Sequence, residues 1–304
     1  MKGKILRSTG SFYDVLGENG MKYTCRVRGK LRLEGIRETN PVAVGDVVEF
    51  DETGDYGSIE EILPRTNHIL RQSVKKKGHT HVLAANIDQA LIVATMASPR
   101  TSTGFIDRFL ITAESFRIPQ VIVFNKQDIL SEEEKRHQDD LILLYTKLGI
   151  PCLSTTGFDA EQHDLKKILA NKTTLVTGHS GVGKSTLLNH LSKEIEQKTA
   201  AISDFSDKGT HTTTFAEMFA LDKSTYVIDT PGVKEWGMAD MVPQEVSDYF
   251  IEMRELRLSC KFGSRCLHTQ EPGCAVRAAV ERGEIALSRF KNYLSIISGE
   301  DNRK

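Results

Sequence analysis

Two short segments, and the order in which they occur, constrain this chain more than anything else in it. The stretch "TLVTGHSGVGKST" (174–186) satisfies G-x-x-x-x-G-K-[ST] through Gly178, Gly183, Lys184 and Ser185, with an apolar strand pattern before it and a helical pattern after it. The segment "VFNKQD" (123–128) supplies N-K-x-D through Asn125, Lys126 and Asp128 at the end of the apolar run "QVIVF". In the usual order of a nucleotide-binding α/β domain the base-selecting segment follows the phosphate loop. Here it precedes it. Either one of the motifs is accidental or the chain is permuted.

The chemistry of the residues favours permutation. Glycines let backbone wrap a phosphate and aim N–H groups at it, with a helix N-terminus adding favourable potential. On this reading His179, Ser180, Gly181 and Val182 complete the loop and Thr186 follows it. Lys184 reaches the β- and γ-phosphates, and Ser185 holds Mg²⁺. A second strand end, "YVIDTPG", places Asp229 near the Mg²⁺ and lets the Gly232 N–H sense the γ-phosphate. Asp128 can accept hydrogen bonds from N1–H and the exocyclic amine of guanine, donors that adenine does not offer in that arrangement. Asn125, Lys126 and Gln127 surround that contact, while Ser154 and Thr155 after "PCL" back up the base. The expected ligands are therefore GTP or GDP with Mg²⁺. Cutting the usual motif order between its third and fourth members, and joining the old ends, gives this chain. Parallel-sheet domains tolerate that because their termini can lie close together at the surface.

Composition bounds the rest. The 304 residues are 39% hydrophobic and 27% charged with a formal charge of −1, which excludes a wholly basic nucleic-acid binder but not local basic patches. The N-terminus lacks an apolar signal core, and no apolar run approaches the roughly eighteen residues that span a bilayer, so a cytoplasmic protein without membrane contact is expected. Residues 1–72 read as short strands separated by turn signals, a small barrel with the OB-fold leading. In "KYTCRVRGKLRL", Tyr23, Cys25, Val27, Leu31 and Leu33 share one face, while Lys22, Thr24, Arg26, Arg28, Lys30 and Arg32 share the other. A one-signed stripe self-repels and makes sense beside phosphates, although a solvated strand face is the plainer alternative. Residues 73–235 alternate strand and helix, the pattern of a mainly parallel α/β sheet, with 75–81 a linker or a mobile basic loop. Residues 236–304 read as helix, "PQEVSDYFIEMRELRL", a Cys/His knot, and helix again, "AVRAAVERGEIALSRFKNYLSII". Within the knot, Cys260, Cys266, His268 and Cys274 form C-x5-C-x-H-x5-C. Three thiolates and an imidazole match one closed, structural Zn²⁺ site.

With these features in place, the chain resembles the circularly permuted, ribosome small-subunit-dependent GTPases of bacteria over nearly its whole length. "GTHTTT" (209–214) is similar to that family's first switch. The resemblance implies that Thr213 senses Mg²⁺ and that GTP hydrolysis is coupled to late assembly of the small ribosomal subunit. It also implies that the barrel contacts rRNA. A monomer that does not bind DNA is expected. Val233 stands where Ras-like enzymes carry a water-positioning glutamine, which implies slow turnover alone and a substitute group from elsewhere; acceleration by the small subunit is what the resemblance implies. His211 is the candidate substitute, and the resemblance supports it. The family usually has four residues between its first two zinc ligands. This chain has five, "KFGSR", beside Gly263. The rival reading is an RNA-binding module that nucleotide merely gates; an ATPase conflicts with Asp128.

Overall fold

The computed structural model describes residues 1–27, 42–72, 80–156, 163–191, 216–229 and 241–300. Arg28, Lys30, Leu31, Arg32 and Leu33 of the basic strand, residues 75–79 of the expected linker, the expected switch residues His211 and Thr213, and Gly232 and Val233 lie outside them, while Thr80 and His81 at the end of the expected linker belong to a strand. The chain divides into two compact units, residues 1–93, 157–178 and 183–237, and residues 94–156, 179–182 and 238–304. Among the described residues no helix is long and apolar enough to cross a membrane.

The first unit opens with β1 (Lys2–Ser8), β2 (Tyr13–Gly17), β3 (Lys22–Val27), β4 (Val47–Asp51) and β5 (Gly57–Ile62). They pair in the order β1-β2-β3-β5-β4, and β4 closes back on β1 through Lys2↔Glu49, Gly3↔Val48 and Lys4↔Val47. The β3–β5 pair is parallel and the others antiparallel. This is the OB-fold expected from the strand pattern. Alternation explains the closure: Tyr13, Val15 and Gly17 of β2 are buried while Asp14 and Leu16 between them are not. Ile5, Tyr13, Val15, Cys25, Val48, Phe50 and Ile59 fill the interior. At Gly3 a Cβ would stand 2.5 Å from Val15 Cγ1 and 2.8 Å from Phe50 Cε1, so the barrel core accepts no side chain there. After the barrel, β6 (His68–Gln72) and β7 (Thr80–Ala85) form a separate antiparallel pair.

The same unit continues with β8 (Gln89–Ala94), β11 (Thr173–Thr177), β12 (Glu217–Ala220) and β13 (Tyr226–Asp229). β8, β11 and β13 run parallel, and β12 lies antiparallel beside β13. Every residue of β8 and β11 is buried, the polar Gln89, Thr173, Thr174 and Thr177 included, as parallel strands covered on both faces require. β12 also pairs antiparallel with barrel strand β1 at Arg7↔Glu217, so barrel and α/β sheet are continuous through backbone hydrogen bonding.

The second unit holds α1 (Thr103–Ser115), β9 (Gln120–Phe124), α2 (Glu132–Lys147) and β10 (Cys152–Ser154), with β9 and β10 parallel. Ser131 and Glu134 close a reciprocal capping box at the start of α2, and Glu132, Glu133 and Glu134 suit its N-terminal potential. The C-terminal segment is more broken than the long helices read from its sequence. α5 (Pro243–Tyr249) stops at Phe250, whose extended backbone (φ −84°, ψ 106°) turns the ring inward before α6 (Ile251–Arg254) begins. There Phe250 meets Tyr293 edge-on at 5.6 Å and lies under the Arg289 guanidinium at 4.5 Å. Burying that ring outweighs helix continuity. α7 (Ala275–Glu281) and α8 (Leu287–Ile297) are likewise separate, parted at Gly283, whose φ of +74° ends a helix cheaply only for glycine.

α1 and the C-terminal helices are joined by a buried polar cluster. Arg289 of α8 grips Glu252 with two nitrogens at 2.7 and 2.9 Å and reaches Asp107 of α1 at 2.6 Å. Asn292 and Tyr145 donate to the same Asp107 carboxylate at 2.6 and 2.8 Å. Burial alone would pull the Arg289 pKa down; Asp107 and Glu252 more than offset it and hold the guanidinium charged.

Candidate nucleotide site and metal centre

At the end of β11 the chain turns through Gly178, Gly181 and Gly183, with φ of 146°, 81° and 94°. Side chains rarely adopt that backbone, which is why glycine recurs along the loop. α4 (Lys184–Asn189) follows, anchored by buried Leu187 and Leu188, while Ser185 and Thr186 are exposed. Lys184 Nζ donates to the Gly178 carbonyl at 2.7 Å. Burial lowers the pKa of this amine, opposed by the charge of Asp229 at the end of β13. Asp229 is in register with Val176 on β11 and with Glu217 on β12.

In the second unit the base-loop residues take sharply different environments. Asn125 is buried, and its Nδ2 donates to the Val182 carbonyl at 2.9 Å. Its Oδ1 accepts from the Thr155 hydroxyl at 2.9 Å, and its backbone N–H donates to Ala94. Thr155 returns two backbone bonds, its N–H to Phe124 and its carbonyl from Gln127. Asn125 therefore ties together the base loop, the Thr155 strand end and the phosphate-loop residue Val182. Lys126 adopts a left-handed φ of 65° and sends Nζ to the Ser98 carbonyl at 2.9 Å. Asp128 stands exposed on the single turn Gln127–Ile129, between half-buried Gln127 and exposed Ile129. Ser154 is exposed, and its hydroxyl accepts from Gln138 of α2 at 3.2 Å. His179 stacks on Phe105 of α1 at 3.9 Å between ring centres, Gly181 faces Pro99, and Ser180 is exposed. Phe105, Pro99, Ser98 and Gln138 escaped the sequence reading. "SPRTSTGF" matches no phosphate motif, and Gln138 sits in a helix whose charge pattern says only that one face is solvated.

The C-terminal cluster is compact. Ligand atoms of Cys260, Cys266, His268 and Cys274 all lie within 4.8 Å of one another, and all four residues are buried. Cys260 Sγ lies 3.9 Å from Cys274 Sγ and 3.6 Å from His268 Nδ1, which is 3.3 Å from Cys274 Sγ. Ligands about 2.3 Å from a zinc ion sit about 3.8 Å apart at tetrahedral corners, so the donor set fits Zn²⁺ in type and spacing. Burial pushes the Cys266 thiol up to about 12 and the Cys274 thiol upward too. Thiols packed this way ionise only beside a cation, and a bound Zn²⁺ would supply it. Gly263, with φ +53° and open space around it, turns the tight segment Gly263–Arg265 that takes up the fifth residue between Cys260 and Cys266. Cys274 Sγ also accepts the Arg277 N–H at 3.4 Å and so caps α7.

Residues 62–239 match the family model described as RsgA GTPase, and residues 2–59 that described as RsgA N-terminal domain. A Bacteroides fragilis (strain YCH46) protein named small ribosomal subunit biogenesis GTPase RsgA is 47% identical over 307 residues, covering 100% of this chain and 98% of that one. A Flavobacterium johnsoniae protein of the same name is 45% identical over 306 residues, 99% of this chain and 94% of that one. Of solved structures, YjeQ from Thermotoga maritima superposes with a TM-score of 0.77 at 35% identity, covering 100% of this chain and 99% of its own. YloQ, described as a circularly permuted GTPase, gives 0.76 at 29% identity, covering 100% and 96%. The motif order of the chain thus has a permuted counterpart of known structure.

Proposed function

The chain belongs to the RsgA family of small ribosomal subunit biogenesis GTPases, and from that premise we propose how its own residues divide the work. Asp128 reads guanine through N1–H and the exocyclic amine. Asn125 holds the loop that presents Asp128 against the phosphate loop. Lys126 and Gln127 pack around the base, and Ser154 and Thr155 close its far side. Gly178, His179, Ser180, Gly181, Val182, Gly183 and Thr186 cradle the phosphates, and Lys184 neutralises the charge that builds up as the γ-phosphoryl group departs. Ser185 and Thr213 hold Mg²⁺ with Asp229 behind it, and Gly232 senses the γ-phosphate. His211 positions the attacking water in place of the residue that Val233 cannot supply. The observation that carries this reading is the bonding of Asn125, one side chain satisfying Val182 and Thr155 at once.

Domain boundaries follow from the same division: a barrel over 1–72 that contacts rRNA, a permuted GTPase over 73–235, and a zinc-bound helical segment over 236–304. The protein works as a cytoplasmic monomer on the small subunit late in its assembly, binding neither DNA nor membrane. Zn²⁺ held by Cys260, Cys266, His268 and Cys274 is structural, since four protein donors leave no open position. Lys22 and Arg26 of β3, both exposed, support the rRNA contact. The deciding experiment is single-turnover GTP hydrolysis with and without purified small ribosomal subunits. Strong acceleration by small but not large subunits is expected; equal rates in both conditions would reduce the protein to a nucleotide-gated binder.

A further inference from the structure

On the barrel surface three side chains from separate strands and turns come together. Phe12 ends the β1–β2 turn, where its carbonyl accepts from both the backbone and the hydroxyl of Thr9. Tyr56 ends the β4–β5 turn and is 48% exposed. Arg26 projects outward from β3, exposed between half-buried Val27 and buried Cys25. Its guanidinium carbon lies 4.1 Å from the Phe12 ring centre and 4.7 Å from that of Tyr56, and the two rings are 5.1 Å apart. A flat cation thus lies against two aromatic faces, ordered in place by the barrel rather than waving in solvent.

Such a group stacks well and neutralises phosphate poorly. The neighbouring turn carries Glu52 and Asp55, both exposed, while the Asp51 carboxylate is engaged by the Thr53 N–H and hydroxyl. Those carboxylates repel a backbone of phosphates and leave a flat, uncharged π-system unaffected. Duplex RNA offers phosphates and 2′-hydroxyls on its outside, whereas an unpaired nucleotide offers a free base face. We propose that Phe12, Arg26 and Tyr56 form a stacking platform for an unpaired base of single-stranded RNA. This rests on the reading that the barrel contacts rRNA and names the chemistry of that contact. Aromatic and guanidinium planes stack bases of any identity, so the platform selects unpaired RNA rather than a sequence.

The test measures fluorescence anisotropy of the full-length protein with a labelled oligoadenylate of about 12 nucleotides, an abasic strand of the same backbone, and a duplex of equal length. Phe12→Ala and Tyr56→Ala should each weaken the base-bearing strand about 5- to 30-fold, leave the abasic strand unaffected, and keep the salt slope unchanged. Arg26→Lys retains the charge and loses the plane, so it should follow the same pattern. Tyr56 stands on an exposed turn, and Tyr56→Trp should retain affinity that Tyr56→Leu loses; an unchanged thermal unfolding curve by circular dichroism reports that each variant is folded. Wild-type affinity in the Phe12→Ala/Tyr56→Ala double variant overturns the platform and leaves the rRNA reading standing. Equal losses on the abasic strand make the contact one of phosphates and overturn it too. Loss of subunit binding with naked RNA binding intact assigns the face to a ribosomal protein instead. If the wild-type protein bound neither the strand nor small subunits at low salt, both readings would fall.

Discussion

Asp128 and Asn125 stand in one four-residue motif, one exposed and the other buried, so their substitutions should read out differently. Asp128→Asn should switch preference from guanine toward xanthine nucleotides, whose 2-keto group takes an amide donor, as competition binding would register. Unchanged guanine preference would remove Asp128 from the base. Asn125→Ala should behave otherwise. It leaves the buried Val182 carbonyl without its donor, a loss of about 1–3 kcal/mol, and should weaken guanine and xanthine nucleotides alike. Lys184→Ala should cripple hydrolysis, because it removes the amine that faces the charge of Asp229 and that is proposed to neutralise the departing γ-phosphoryl group. Normal single-turnover rates in that variant would displace the phosphate loop from the chemistry.

Among the elements, the zinc-type knot and the α1–α8 junction are the two places where single substitutions should cost most. Purified protein should carry about one zinc ion, measured by atomic absorption, and lose it to chelators with loss of C-terminal helicity. Cys266→Ser should lower the metal content; Cys152→Ser, a half-buried thiol on β10 away from the cluster, should not. Equal loss from both would contradict the ligand set. Arg289→Met removes the one cation between Asp107 and Glu252 and strands both carboxylates in the interior. Breaking such a cluster from one side destabilises by about 3–5 kcal/mol, so the urea midpoint should fall clearly. The long helices expected over the C-terminal segment were not there to be read. Helical periodicity records which residues face inward, and it does not record that Phe250 reaches the core only if the helix breaks beneath it.

For the whole molecule, the segment proposed as the first switch leads in sequence into β12, and Glu217 of β12 is in register with Asp229 on one side and with barrel residue Arg7 on the other. His211→Ala should leave GTP affinity and subunit binding nearly intact while abolishing most subunit stimulation in single-turnover assays. Full stimulation of that variant would make His211 a bystander. Arg26→Glu should instead weaken subunit binding, read by co-sedimentation, because it removes the guanidinium plane held over Phe12 and Tyr56 and puts a carboxylate on the exposed face of β3.

Sequence alone determined the parts of this protein that depend on local chemistry. A strand followed by glycines, lysine and serine reads as a phosphate loop, N-K-x-D at a strand end gains its reading as a base-selecting segment from that second motif, and alternation builds a barrel strand. Cysteine and histidine spacing brings four donors of zinc type into one cluster. The class of fold and the permuted order follow from these pieces because each carries its own short-range signal. Tertiary structure alone decided what joins them. That β1 adds to the edge of the α/β sheet, that Phe105 stacks on His179, that Asn125 bonds Val182, and that Arg26 lies on Phe12 and Tyr56 are pairings between residues far apart in the chain. Each depends on how two surfaces meet, and a surface's shape is a property of many residues at once. No periodicity or spacing within one segment contains it.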